Sequence, residues 1–137
     1  MLNKLLDNDA AVPLVGRVLL ALIFLLAGIN KIPGFEGTSQ YMAAKGVPMV
    51  PVLLALAIII EIGGAALIIA GYRTRLAALA LIGFTIIITP IFHNFWAMQG
   101  LEAANNQIHL LKNLAVIGGL FMLAGHGPGR ISLDDRA

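Results

Sequence analysis

Residues Pro51 to Gly71 read PVLLALAIIIEIGGAALIIAG. At roughly 1.5 Å per residue this apolar run of about twenty residues is long enough to cross the hydrocarbon core of a bilayer as one helix. A single carboxylate, Glu61, stands at its middle. A carboxylate at that depth is costly unless it is paired, protonated or wetted, so the rest of the chain must supply a cation or a proton. Its neighbours on the same helical face, Ala57, Gly64 and Ala65, are small enough to let another helix approach closely.

Three further apolar stretches flank this one, and the pattern predicts an all-α membrane protein. The expected architecture is a four-transmembrane-helix antiparallel bundle, a single domain over 1–137 with helices at about 13–30, 51–70, 75–98 and 107–124. Pro13 suits a first helical turn. In the first helix Arg17, Ala21, Phe24, Gly28 and Lys31 share one face, which predicts an inward face. A short interfacial helix is expected between helices 1 and 2, over Thr38 to Lys45 with Gly46 as its stop. The short turn Gly71 to Arg75 joins helices 2 and 3 as a hairpin, with Thr74 as the expected N-cap. In the third helix Pro90 cannot donate to Ile86, which predicts a kink. Gln99 to Asn106 reads as a polar loop, and Gly127-Pro128-Gly129 ends the fourth helix.

Composition agrees. Of 137 residues 59% are hydrophobic and 12% charged, against about a quarter charged in soluble domains. The absence of cysteine excludes disulfides, thiol redox chemistry, iron–sulfur clusters and c-type haem, so no covalently bound cofactor is expected. The net charge of +2 is scattered, which gives no support to nucleic-acid binding. Met1 to Val12 carries Asp7 and Asp9, unlike a cleavable signal peptide, and predicts that the first helix is retained as an anchor. Lys4, Arg17, Arg73, Arg75, Arg130 and Arg136 lie with the termini, against Lys31, Lys45 and Lys112 opposite, so both termini are expected in the cytoplasm.

The candidate ligand-binding residues are Glu61, Lys112, His109, His93, Asn113, Arg17 and Lys31. His109, Lys112 and Asn113 share a face of the fourth helix, and His93 follows Pro90 at similar depth. Lys112 is the expected partner of Glu61, with Arg17 an almost equal alternative; such a pair either fixes helix register or serves a ligand. Two histidines without an accompanying carboxylate or thiol motif give no metal site. Paired glycines at Gly63-Gly64 and Gly118-Gly119 read as close-packing sites, compatible with a homo-oligomer.

Taken in order, several segments resemble the DoxX family of small inner-membrane proteins. They are Gly28-Ile29-Asn30-Lys31, Thr38 to Met42 with Gly46-Val47-Pro48, Glu61-Ile62-Gly63-Gly64, Gly71 to Arg75, Lys112-Asn113-Leu114 and Gly127 to Asp134. The resemblance implies a four-helix protein of the cell inner membrane, tied in some members to quinone-coupled oxidation or membrane-associated redox complexes. It names no catalytic residue to carry over. The expected function is a membrane subunit of a quinone-linked redox system, with a quinone as ligand, soluble oxidoreductase subunits as partners and the lipid bilayer as solvent. The alternatives are a small-molecule or lipid carrier, or a non-catalytic scaffold for soluble oxidoreductases.

Overall fold

A computed structural model describes residues 2–3 and 10–136; Lys4, Asp7 and Asp9 lie outside them. The helices are α1 (Ala11–Lys31), α2 (Phe35–Ala44), α3 (Val50–Ala70), α4 (Thr74–Phe92) and α5 (Gly100–His126), with 3-10 turns at Phe95–Ala97 and Asp134–Arg136. All but α2 belong to spans long and apolar enough to cross a membrane, four in all. Among the described residues there is no strand.

The bundle is apolar outside as well as inside. Leu19, Ile59, Ile87 and Met122 project from the four long helices at 63–64% exposure. A soluble monomer does not carry such a surface all round, so the medium outside is hydrocarbon. The predicted inward face of α1 holds: Arg17, Ala21, Phe24 and Gly28 are its buried residues. Ala21 and Phe24 meet Ala65 and Ile68 of α3, Leu81 of α4 and Leu120 of α5 in the core. The main packing runs α1 on α3, α3 on α4 and α4 on α5, with only slight contact between α1 and α5.

Small residues set the closest approaches. A Cβ on Gly28 would lie 2.6 Å from Ile62 Cγ1 and 3.3 Å from the Ile62 backbone nitrogen, so α1 crosses α3 almost backbone to backbone beside Glu61. Gly64 packs similarly against Leu81, and Gly119 against Leu20, whereas Gly63 and Gly118 face open space. Only one glycine of each pair is therefore a packing site.

Three boundaries differ from expectation. α5 starts at Gly100, seven residues before Gln107, because Leu101, Glu102, Ala103 and Ala104 are strong helix formers and extend the helix past its apolar portion. The stretch read as a polar loop is helical. α4 leaves the helix at His93, within a turn of Pro90, rather than at Met98. α2 begins at Phe35 rather than Thr38 and ends at Ala44, with Gly46 in the left-handed region at φ +80°.

Candidate functional site

Glu61 is paired, but with neither expected partner. Lys31 Nζ lies 2.9 Å from Glu61 Oε1 and 3.0 Å from Oε2, and the Glu61 side chain is only 3% exposed. Helix register explains the choice. Because Gly28 rests on Glu61 and Ile62, α1 ends about one turn later, at Lys31. The flexible lysine stem then covers the rest of the way.

That early end has a second consequence. α3 runs on for about eight residues beyond the level of α1, roughly 12 Å at 1.5 Å per residue. α2 crosses this gap and packs on α3 there. Beneath it a cavity of about 410 Å³ opens between α2, α3 and α4. Its walls include Leu54, Ile60, Phe84 and Ile88, and its polar margin is Lys31, Glu61, Thr38, Tyr41 and His93. Tyr41 is positioned by stacking on Phe92 at 5.7 Å between ring centroids and by its hydroxyl donating to the Phe92 carbonyl at 3.4 Å. The Lys45 ammonium sits 5.7 Å from the centre of the Tyr41 ring and donates to Asn94 Oδ1 at 3.2 Å, tying α2 to the segment after α4.

Of the remaining candidates, His93 alone borders this site. His93 lines the cavity, and its Nδ1 is 2.9 Å from Asn106 Oδ1, a contact available only because α5 extends back to Gly100. His109 is exposed and tilts against His93, with ring centroids 5.1 Å apart. Lys112 is exposed, does not pair with Glu61 and does not line the cavity. Asn113 donates to Thr89 Oγ1 at 3.1 Å and serves α4–α5 packing. Among the described residues no group of three or more His, Asp or Glu is arranged to hold a metal.

Arg17 turns the other way. Its Nε donates to Ile68 O at 2.9 Å, Nη1 to Pro128 O at 2.8 Å, and Nη2 to Ile69 O at 3.2 Å and Ile131 O at 2.6 Å. One guanidinium thus ties carbonyls at the end of α3 to those of the folded-back tail, Ile68 O also accepting from the Gly71 N–H at 3.1 Å. The tail pairs further, Leu133 N to Ala70 O at 3.2 Å and Asp134 N to Gly71 O at 2.7 Å. Gly71, at φ +69°, must lack a side chain because a Cβ would collide with that of Ser132. Asp134 accepts from the backbone N–H of Arg73 at 2.7 Å and of Thr74 at 2.9 Å, which holds its carboxyl below the usual carboxylate range, the Thr74 N–H being the larger cause. The cap of α4 is therefore Asp134, and Thr74 is the first helical residue rather than the N-cap.

Sequence reasoning missed Tyr41 and Thr38 as site residues and Asp134 as a cap. The signal was present for all three, since each falls in a segment that carried the family resemblance.

A four-span bundle with a lysine–carboxylate pair inside it and a cavity beside the pair defines a class of small integral membrane protein. The chain belongs to the DoxX family: the DoxX model matches residues 12–94. It is 40% identical over 133 residues to the Escherichia coli inner membrane protein YphA, covering 95% of each chain. It is 42% identical over 121 residues to the Escherichia coli inner membrane protein YqjF, covering 88% of each. A shorter match, 33% over 72 residues, spans 50% of this chain and 26% of a Surfeit locus protein 4 homolog of Drosophila melanogaster. No solved structure matches the chain. The family reading drawn from the motifs is borne out.

Proposed function

We propose that the cavity beside Lys31 and Glu61 binds a quinone or a similar small amphiphile, and that the protein acts as a membrane subunit of a quinone-linked redox system. The observation that carries this reading is an apolar-walled cavity of about 410 Å³ whose margin includes a buried ion pair. The size falls in the roughly 300–1,000 Å³ range of small-molecule sites, and few polar groups among apolar walls is the usual make-up of such a site. In this reading the quinone ring lies among the cavity walls Leu54, Ile60, Phe84 and Ile88, with its isoprenoid tail toward the lipid-facing residues of α3 and α4.

The polar residues have distinct roles in this reading. Lys31 Nζ donates to both Glu61 oxygens and, at 3.5 Å, to the Ala27 carbonyl; that longest bond is the one a carbonyl of the head group would replace. Glu61 keeps that ammonium aimed and is the buried group able to take up or release a proton when the pair is disturbed. Tyr41 and His93 orient the head group at the margin. A bound quinone would supply two-electron redox chemistry, which the side chains of a cysteine-free chain lack.

The same proposal puts the chain in the inner membrane, where the names of both Escherichia coli relatives place those proteins. The excess of arginine around the α3–α4 turn and the tail supports cytoplasmic termini. The test is organic extraction and mass spectrometry of the purified protein beside Lys31→Met and Glu61→Gln. Near-stoichiometric quinone in the wild type, lost in both variants, is expected. Bulk phospholipid alone in all three samples would overturn the reading.

A further inference from the structure

The end of the bundle that carries the tail holds a second, larger cavity of about 920 Å³, between the start of α4, the end of α5 and the folded-back tail. Arg73, Arg75, Arg130 and His126 line it. None of the three guanidiniums takes part in an ion pair among the described residues, where Lys31–Glu61 is the salt bridge. The wall also carries Asp134 and Asp135. The Asp134 carboxylate is committed to the N–H groups of Arg73 and Thr74, so the arginines are left in excess.

Two features keep the arginines seated and unneutralised around the cavity. Thr74 lines the cavity and is fully buried, with its side chain against the Asp134 carboxylate. Asp134 is thereby held at the start of α4, and its charge is not free to pair with the arginines. Arg75 is also seated: its guanidinium rests against Gly127, where a Cβ would lie 3.3 Å from Nη2. Gly127 has φ +83°, so the glycine both allows the turn and leaves room for the arginine.

We propose that this cavity binds a phosphate group, held by Arg75 and Arg130. Planar guanidiniums match phosphate oxygens in pairs, which a single ammonium does not. The cavity far exceeds a bare anion, and it is edged by Pro13 and by Leu76, which is 61% exposed on the first turn of a spanning helix. Its mouth therefore meets the hydrocarbon boundary, where an acyl chain can run past Leu76 while the head group enters. An anionic phospholipid and a soluble phosphate ester share the chemistry of this site.

Native mass spectrometry of the detergent-solubilised full chain, after exchange into phosphatidylglycerol or phosphatidylcholine, tests the assignment. Wild type is expected to retain phosphatidylglycerol in preference, and Arg75→Gln/Arg130→Gln to bind it about thirtyfold more weakly, at roughly one kcal/mol per arginine. The single Arg130→Gln variant should show a loss of about fivefold on the same basis if the double variant does not fold. Lys45→Gln, at the other end of the bundle, should behave as wild type. Retention that resists inorganic phosphate supports a lipid; displacement by inorganic phosphate, or its binding alone, supports a soluble phosphate ligand. Equal retention of both lipids with no phosphate binding, or an unchanged Arg75→Gln/Arg130→Gln variant, overturns the proposal.

Discussion

Arg17 and Lys31 stand on one face of α1, and both turn into the bundle, yet they end in opposite kinds of environment. Arg17 is enclosed by four backbone carbonyls from α3 and the tail, and no carboxylate bonds it. Lys31 meets a carboxylate, and the pair borders a cavity. Carbonyls at a helix end are fixed and already need donors, so a guanidinium there makes a lock. A side-chain pair beside empty space can exchange one partner for a ligand, so it makes a site. An intramembrane charge thus reveals its purpose through the class of its partner more than through its depth.

If Arg17 is a lock, Arg17→Met should have the largest effect. Hydrogen bonds to a charged group contribute about 1.5–3 kcal/mol each and do not add fully, so a loss of about 3–5 kcal/mol is expected in denaturant unfolding of the detergent-solubilised protein. The tail should also become protease-sensitive. An unchanged midpoint with an intact tail would erase the contrast.

Breaking the other pair should cost less. Lys31 is 27% exposed and Glu61 can take up a proton, so Lys31→Met should destabilise by about 2 kcal/mol, below the usual cost of orphaning a buried charge. Combining it with Glu61→Gln should recover part of the loss, and the double-mutant cycle should show coupling of about 1 kcal/mol. Additive losses would mean that the two residues act separately.

Asp134→Asn should cost about 1 kcal/mol, the usual worth of a helix cap, most of it at neutral pH. The wild-type carboxyl is held low in the folded protein, so its contribution is complete above the ordinary carboxylate range and is lost as pH falls through the folded value. Thermal midpoints of wild type and variant should therefore converge on acidification. A constant difference would show that the carboxylate charge is not what caps α4.

The smallest effect is expected at Lys112. It is exposed and outside the cavity, so Lys112→Met should stay within about 0.5 kcal/mol of wild type and leave ligand content unchanged.

The fold was legible because apolar length and the inward face of α1 are local properties, carried by the order of residues. The partner of Glu61 was not, because it depends on how far one helix slides along another. Counting from helix ends favoured Lys112, but Gly28 sets the slide by letting α1 sit on Glu61 and Ile62. The polarity of Gln99 to Asn106 suggested a loop, while its leucine, glutamate and alanines kept it helical and carried Asn106 to His93. The tail read as a polar end, and its clamp on Arg17 rests on carbonyls, which every residue has and no motif displays.

The most direct test of the binding reading is photolabelling of the protein in membranes with a photoreactive quinone analogue, followed by peptide mapping. Labelling confined to Ile60, Phe84, Ile88 and their neighbours on α3 and α4, competed by unlabelled quinone and lost in Lys31→Met, is the predicted result. Uncompeted labelling spread over lipid-facing positions such as Leu19 and Met122 would contradict it.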